Sequence, residues 1–140
     1  MSIKKIIFAK TKIAFVFILL LTTSCKVEQE TIFGVWKPVT LLLPESVKKS
    51  KSQSDVIFMT FEQSKDMYYH FHPDSSFSLE SPKESVGFQD AKGTFTIKGN
   101  AIAINIYNTV LKSNIIKLTK KEMHVQSTDS VTIIYEKIRD

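Results

Sequence analysis

The hydrophobic and polar positions of this chain fall into two regimes. From Ile13 to Leu21 the sequence is an unbroken apolar run, preceded by Lys4, Lys5, Lys10 and Lys12 and followed by the small residues Thr22-Thr23-Ser24. From Thr31 onward, short β-branched and aromatic segments recur about every ten residues, separated by clusters of Gly, Pro, Asn, Asp and Ser, which is the texture of a β protein. The predicted strands begin with Phe33 to Leu43, stopped by Pro44. Pro44 to Ser54 reads as a polar loop or short helix. Asp55 to Glu62 alternates Ile57, Met59 and Phe61 against Val56, Phe58 and Thr60 and is assigned as a strand. Asp66 to His72 and Phe77 to Glu80 flank the turn chemistry of Pro73-Asp74-Ser75-Ser76, and Ser81 to Asp90 is a longer loop.

The second half is more regular. Gly93 to Ile97 and Ala101 to Tyr107 are joined by Lys98-Gly99-Asn100, a tight hairpin signal. Ile102, Ile104 and Ile106 alternate with Ala103 and Asn105, as in a half-buried strand. Leu111 to Leu118 turns through Thr119-Lys120-Lys121 into Glu122 to Gln126, and Val131 to Ile138 is last. Eight or nine short antiparallel strands with brief connections favour an all-β meander closed into an up-and-down barrel, which also removes exposed edges. Ile57, Met59, Phe61, Phe95, Ile97, Ile102, Ile104, Ile106, Met123 and Val125 are expected to point inward. Side chains can fill a barrel of this size, or it can hold one small ligand.

The N-terminal regime has the charged front, apolar middle and small-residue end of a secretory signal. Its apolar run is about half the ~20 residues that a membrane-spanning helix needs. Cys25, the sole cysteine, follows directly. An isolated thiol in an exported protein has no disulfide partner. Leu21-Thr22-Thr23-Ser24-Cys25 resembles the lipobox of bacterial lipoproteins, although Thr22 stands where Leu is usual. That resemblance implies cleavage before Cys25 and a covalent lipid on its sulfur and amine. Several acyl chains, at about 0.8 kcal/mol per buried CH₂, make such an attachment effectively permanent. The expected organisation is a signal peptide over 1–24, a lipidated tether over 25–31 and a barrel domain over 32–140.

Removing the signal changes the charge balance. Taking its four lysines from the 19 basic side chains leaves 15 against 14 acidic ones, so the high isoelectric point mostly describes the discarded segment. No basic surface for nucleic acid is evident in the remainder. Lys26 after the cysteine points to the outer membrane, and Glu28 and Glu30 beside it faintly resemble tags that send lipoproteins to the cell surface. Lys48, Lys49 and Lys51 read as a solvated surface or, secondarily, as a contact for anionic lipid.

Gly34-Val35-Trp36 resembles the Gly-x-Trp signature of the lipocalin superfamily, at the start of the first strand where that family carries it. Phe71 to Phe77, with Ser75 where Gly is usual, Gly93 to Ile102, and Ile116 to Met123 are similar to elements of small bacterial lipocalin-like domains. The resemblance spans Phe33 to Ile138. It implies that Gly34 and Trp36 are a structural signature, with Trp36 packed across a closed barrel end. In some lipocalins an arginine caps this tryptophan; here Lys137 or Arg139 is the available cation.

Other chemistry is sparse. His70 and His72 share a strand face and could hold a metal with Glu62, Asp74 or His124, but no spacing assembles the set, so no metal or other cofactor is expected beyond the lipid on Cys25. No serine sits in a constrained nucleophile turn, and Glu62, Asp66, Asp74, Glu80, Glu84 and Asp90 are scattered, so no catalytic residue is assigned and the chain is read as non-enzymatic. The expected function is a membrane-anchored lipoprotein, monomeric, binding a small hydrophobic molecule or lipid in its barrel. The alternative is a filled barrel acting as a structural or protein-interaction module of the cell envelope.

Overall fold

A computed structural model describes residues 29–82 and 90–140. Its strands are β1 (Gly34–Leu42), β2 (Tyr68–Phe71), β3 (Ser76–Glu80), β4 (Ala91–Lys98), β5 (Ala101–Ile106), β6 (Thr109–Leu118), β7 (Glu122–Gln126) and β8 (Thr132–Arg139). Each pairs antiparallel with the next, and β8 returns to β1, so the sheet is a closed eight-stranded up-and-down barrel. Helix α1 (Gln29–Ile32) precedes β1, while α2 (Glu45–Lys48) and α3 (Lys51–Ser64) fill the β1–β2 connection. The all-β antiparallel barrel expected from the sequence is the fold observed.

Local chemistry explains the turns. At the β2–β3 turn Ser75 has φ of 66°, the left-handed conformation that makes glycine the usual choice there. The Asp74 carboxylate closes the turn by accepting from the Ser76 N–H at 2.9 Å and the Ser76 hydroxyl at 2.6 Å. Tyr107 and Asn108 join β5 to β6 with φ of 49° and 64°, the doubly left-handed geometry that matches strand twist in a two-residue hairpin. Pro38 sits beside a register shift in β1, where a residue lacking an N–H disrupts the ladder least. Gly93 faces Asn105 so closely that a β-carbon there would lie 1.9 Å from the Asn105 carbonyl oxygen.

The interior is built by period-two alternation. On β4, Ala91 and Phe95 are buried while Lys92, Thr94, Thr96 and Lys98 are exposed. The register places Phe95 opposite Ile104, and Ile97 opposite Ile102. Phe71, Phe77, Phe95, Ile102, Ile115, Met123, Tyr135, Trp36 and Ile32 form one buried cluster. Phe71 anchors its aromatic part, 5.1 Å from Phe77 and edge-on to Phe95 at 5.0 Å, spacings at which ring pairs attract beyond their area burial. Phe95, Ile97, Ile102, Ile104, Ile106, Met123 and Val125 all belong to this core or pack against it, as expected.

The segment Asp55–Glu62 is a correction: it lies within helix α3, not in a strand. β1 is hydrogen-bonded on one edge to β2 and on the other to β8, so no edge is left for a strand between β1 and β2. Read at helical spacing, Ser54, Ile57, Phe61 and Ser64 form the inner stripe, with Phe61 buried and the others half-buried. Local bonds support the turns, including Thr60 Oγ1 to the Val56 carbonyl at 2.9 Å and Lys65 to Glu62 at 2.6 Å. Met59 therefore points to solvent at 61% exposure, and neither Ile57 nor Met59 lines the barrel. Alternation misled here because apolar residues occupied both would-be strand faces.

The contrast between the two environments gives a test. Phe95→Ala is expected to destabilise the protein by about 3–5 kcal/mol through loss of transfer energy and the cavity left behind. Met59→Ala should stay within about 0.5 kcal/mol, as for exposed positions generally. Urea unfolding midpoints measure both.

Candidate functional site

The up-and-down topology gives the barrel two unlike ends. The start of β1, the end of β8 and the β2–β3, β4–β5 and β6–β7 turns share one end, the base. The β1–β2 helices and the β3–β4, β5–β6 and β7–β8 connections share the other, the mouth.

The base is sealed. Trp36 is fully buried, and its indole Nε1–H donates to the Ile32 carbonyl at 2.7 Å. That bond folds α1 across the base, with Ile32 itself inaccessible to solvent. Gly34 adopts φ of 123°, and a β-carbon there would lie 2.6 Å from the Arg139 carbonyl oxygen, so the close crossing of β1 and the end of β8 requires glycine. The cation is Lys137. Its Nζ lies 5.1 Å from the Trp36 ring centroid and donates to the Phe33 carbonyl at 2.7 Å. It also pairs with Asp140 at 3.2 Å. A lysine over an indole face is attracted by the ring quadrupole, the more so when desolvated.

Toward the mouth the lining stays apolar but is no longer covered. Tyr69, Leu79, Ile104, Ile106, Val125 and Ile133 pack against the core yet are only partly buried. Leu111, directly opposite Ile104 and so on the same inner face, is 55% exposed. Two tyrosines belong to this lining: Tyr69 and Tyr135 meet edge to face at 5.2 Å between ring centroids. Burial pushes both phenols up, Tyr135 well above the ordinary tyrosine value, with the neighbouring Tyr69 adding to it. Both hydroxyls therefore stay neutral. Apolar side chains around a few polar groups are the composition of a small-molecule site.

The candidate metal ligands are not brought together. His70 and His72 stack with ring centroids 3.7 Å apart on the outer face of β2. Glu62 instead pairs with Lys65 on α3, Asp74 closes its turn on Ser76, and His124 Nε2 lies 2.6 Å from Glu122 Oε1. Among the described residues no three His, Cys, Asp or Glu side chains converge on one point. Two open grooves lie along the strands. One, of about 650 Å³, runs along β3 and β4 past His72; the other, of about 480 Å³, lies over Ala101 and Ala103. Cys25 and the signal segment lie outside the described residues. Of the tether, Gln29 to Thr31 belong to α1.

Sequence reasoning singled out Gly34 and Trp36, left Lys137 and Arg139 as alternatives for the cation, and missed the tyrosine pair. Tyr69 and Tyr135 each sit two residues from an inward neighbour, Phe71 and Ile133, and that alternation was the available signal.

No protein-family model matches the chain, and no curated protein matches it by sequence. Two solved structures share its architecture. One is an uncharacterized protein from Bacteroides eggerthii, with TM-score 0.54 and 14% identity over 75% of this chain and 98% of that one. The other is a lipocalin-like protein from Bacteroides uniformis, with TM-score 0.54 and 13% identity over 77% of this chain and 99% of that one. The fold is lipocalin-like.

On the outer face of the barrel, His70 makes stability depend on pH. Burial lowers the His70 pKa first, and the neighbouring His72 and Arg139 lower it further against the opposing Glu80. The unfolded chain then binds the proton more readily than the folded one. Stability is full above the ordinary histidine value of 6.5 and declines as pH falls from there toward the depressed folded value. His70→Asn should flatten that part of the stability–pH curve, measured by thermal melts across the range. An unchanged slope would show that His70 does not contribute.

Proposed function

We propose that this chain is a lipid-anchored protein of the cell envelope whose barrel binds a small apolar molecule carrying a polar group. The observation that carries this reading is the inner wall toward the mouth, where Leu79, Ile104 and Ile106 are only partly buried, Leu111 is 55% exposed, and Leu79 pairs with Tyr69 of the Tyr69–Tyr135 ring pair. Apolar wall supplies affinity without direction, and a neutral hydroxyl pair orients a carboxylate, amide or hydroxyl head. The role proposed is binding: an apolar lining gives contact, and two phenols kept neutral by burial give orientation.

The anchor is the second part of the reading. Cys25 after an apolar, positively fronted segment supports a covalent lipid, and Lys26 supports an outer-membrane destination on its periplasmic or outer face. A second functional reading, a protein-interaction module, is favoured by one observation. Val56, Phe58 and Met59 on α3 are each more than half exposed, and apolar side chains grouped on one short element often mark a binding face.

Two experiments test the proposal. The full-length protein should take up a fluorescent fatty acid with saturable stoichiometry. Leu111→Arg, at an inner-wall position that is already solvated, should reduce uptake at least tenfold without changing the melting temperature by more than a few degrees. Absence of uptake by the parent protein would overturn the carrier reading and favour the interaction module. For the anchor, intact mass should show acyl chains on Cys25, and Cys25→Ser should leave the protein soluble or as unprocessed precursor. Unaltered fractionation with the outer membrane would refute lipidation.

A further inference from the structure

We propose that the closed base of the barrel is a contact surface for anionic lipid headgroups, which holds the mouth away from the bilayer. The orientation rests on the lipid anchor proposed above; the charged surface stands on the structure. Cys25 precedes Gln29 by four residues, so at 3.3–3.6 Å per residue the anchor lies within about 14 Å of the start of α1. Helix α1 is fixed to the base by the bond from Trp36 to Ile32. Strands of eight to ten residues, tilted as in barrels of this size, give a wall about 20–25 Å high. A barrel resting mouth-down would therefore lift α1 farther from the membrane than the tether reaches.

The charges at the two ends fit this orientation. Lys98 ends β4, Lys120 and Lys121 form the β6–β7 turn, and Arg139 ends β8. All four are exposed, and among the described residues none forms an ion pair. Of the acids near them, Glu122 is engaged by Lys117 and His124, Asp140 by Lys137 and Asp74 by Ser76, while Glu136 on β8 is exposed outside these pairs, leaving the four cations in excess. The turn is held in place, since the Lys137 N–H donates to the Lys121 carbonyl at 2.9 Å. At the mouth the exposed charges are mixed, Lys49, Lys51 and Lys92 standing among Asp55, Glu80, Asp90 and Asp129, so that end has no excess of cations to draw it to an anionic surface. Each lysine or arginine brought to such a surface strengthens attachment about fivefold.

Trp36, the single tryptophan and a base residue, reports the geometry without a label. The full-length protein, with the Cys25 lipid verified by intact mass, is reconstituted into phosphatidylcholine vesicles with or without phosphatidylglycerol, carrying a dansyl headgroup lipid. Energy transfer from Trp36 to dansyl should be efficient with phosphatidylglycerol. It should fall in phosphatidylcholine alone, in salt that shortens screening to about 3 Å, and in the combined Lys98→Glu, Lys120→Glu, Lys121→Glu variant. The variant should weaken the docked state at least 100-fold. Weak transfer throughout, or equal transfer in all four conditions, overturns the proposal while the anchor stands. If the mass shows a bare thiol, the anchor reading falls separately, and sedimentation of the same chain with phosphatidylglycerol vesicles decides the surface. Binding lost in the triple variant upholds it, and equal binding of parent and variant overturns it.

Discussion

The pairing of β8 with β1 is the constraint on which the rest of the molecule depends. Seven residue pairs, from Val35 with Arg139 to Leu42 with Thr132, join strands at opposite ends of the domain. Once that ladder forms, every strand has two neighbours and the sheet has an inside and an outside. Alternation then acquires a fixed meaning: a side chain two positions from Phe95 or Met123 faces the core, and its neighbours face water. Closure also decides what the β1–β2 connection can be. With both edges of β1 taken, an apolar segment between the strands must satisfy its backbone within itself, and α3 does so.

The same closure makes the two ends unequal. At the base, a large ring, a glycine crossing, a short helix and a lysine fill the space and satisfy one another. The indole N–H meets the Ile32 carbonyl, the Phe33 carbonyl meets Lys137, and the ring itself meets the cation. The half-buried ammonium of Lys137 is met by a carbonyl, a ring face and the Asp140 carboxylate. At the mouth the helices of the β1–β2 connection bury Val47 and Phe61, while lining residues such as Ile106 and Val125 stay only partly buried. The two ends thus differ in how completely the apolar wall is covered, and the Tyr69–Tyr135 pair belongs to the less covered part.

How much of this was legible from the residues depended on whether a pattern had one structural meaning or two. Period-two runs such as Ile102, Ile104 and Ile106 next to Gly99-Asn100 admit only a strand beside a hairpin, and they folded as read. Gly34 and Trp36 were recognisable by resemblance, and their geometry supplies the physical reason: a crossing too tight for a β-carbon and an indole with a single donor to satisfy. The stretch Val56 to Phe61 was ambiguous, because five apolar residues in six positions suit a strand or a helix. Only the ring closure, a property of the whole chain, resolved it. The tyrosine pair was invisible for a related reason. Its two members are 66 positions apart and meet only because β8 lies beside β1, which lies beside β2.

The bond from Lys137 to the Phe33 carbonyl spans 104 positions of sequence. Contacts of such long sequence separation carry the full entropy cost of bringing distant segments together. The bond therefore forms with the β1–β8 ladder and not before it, so the seal of the base and the closure of the ring are one event.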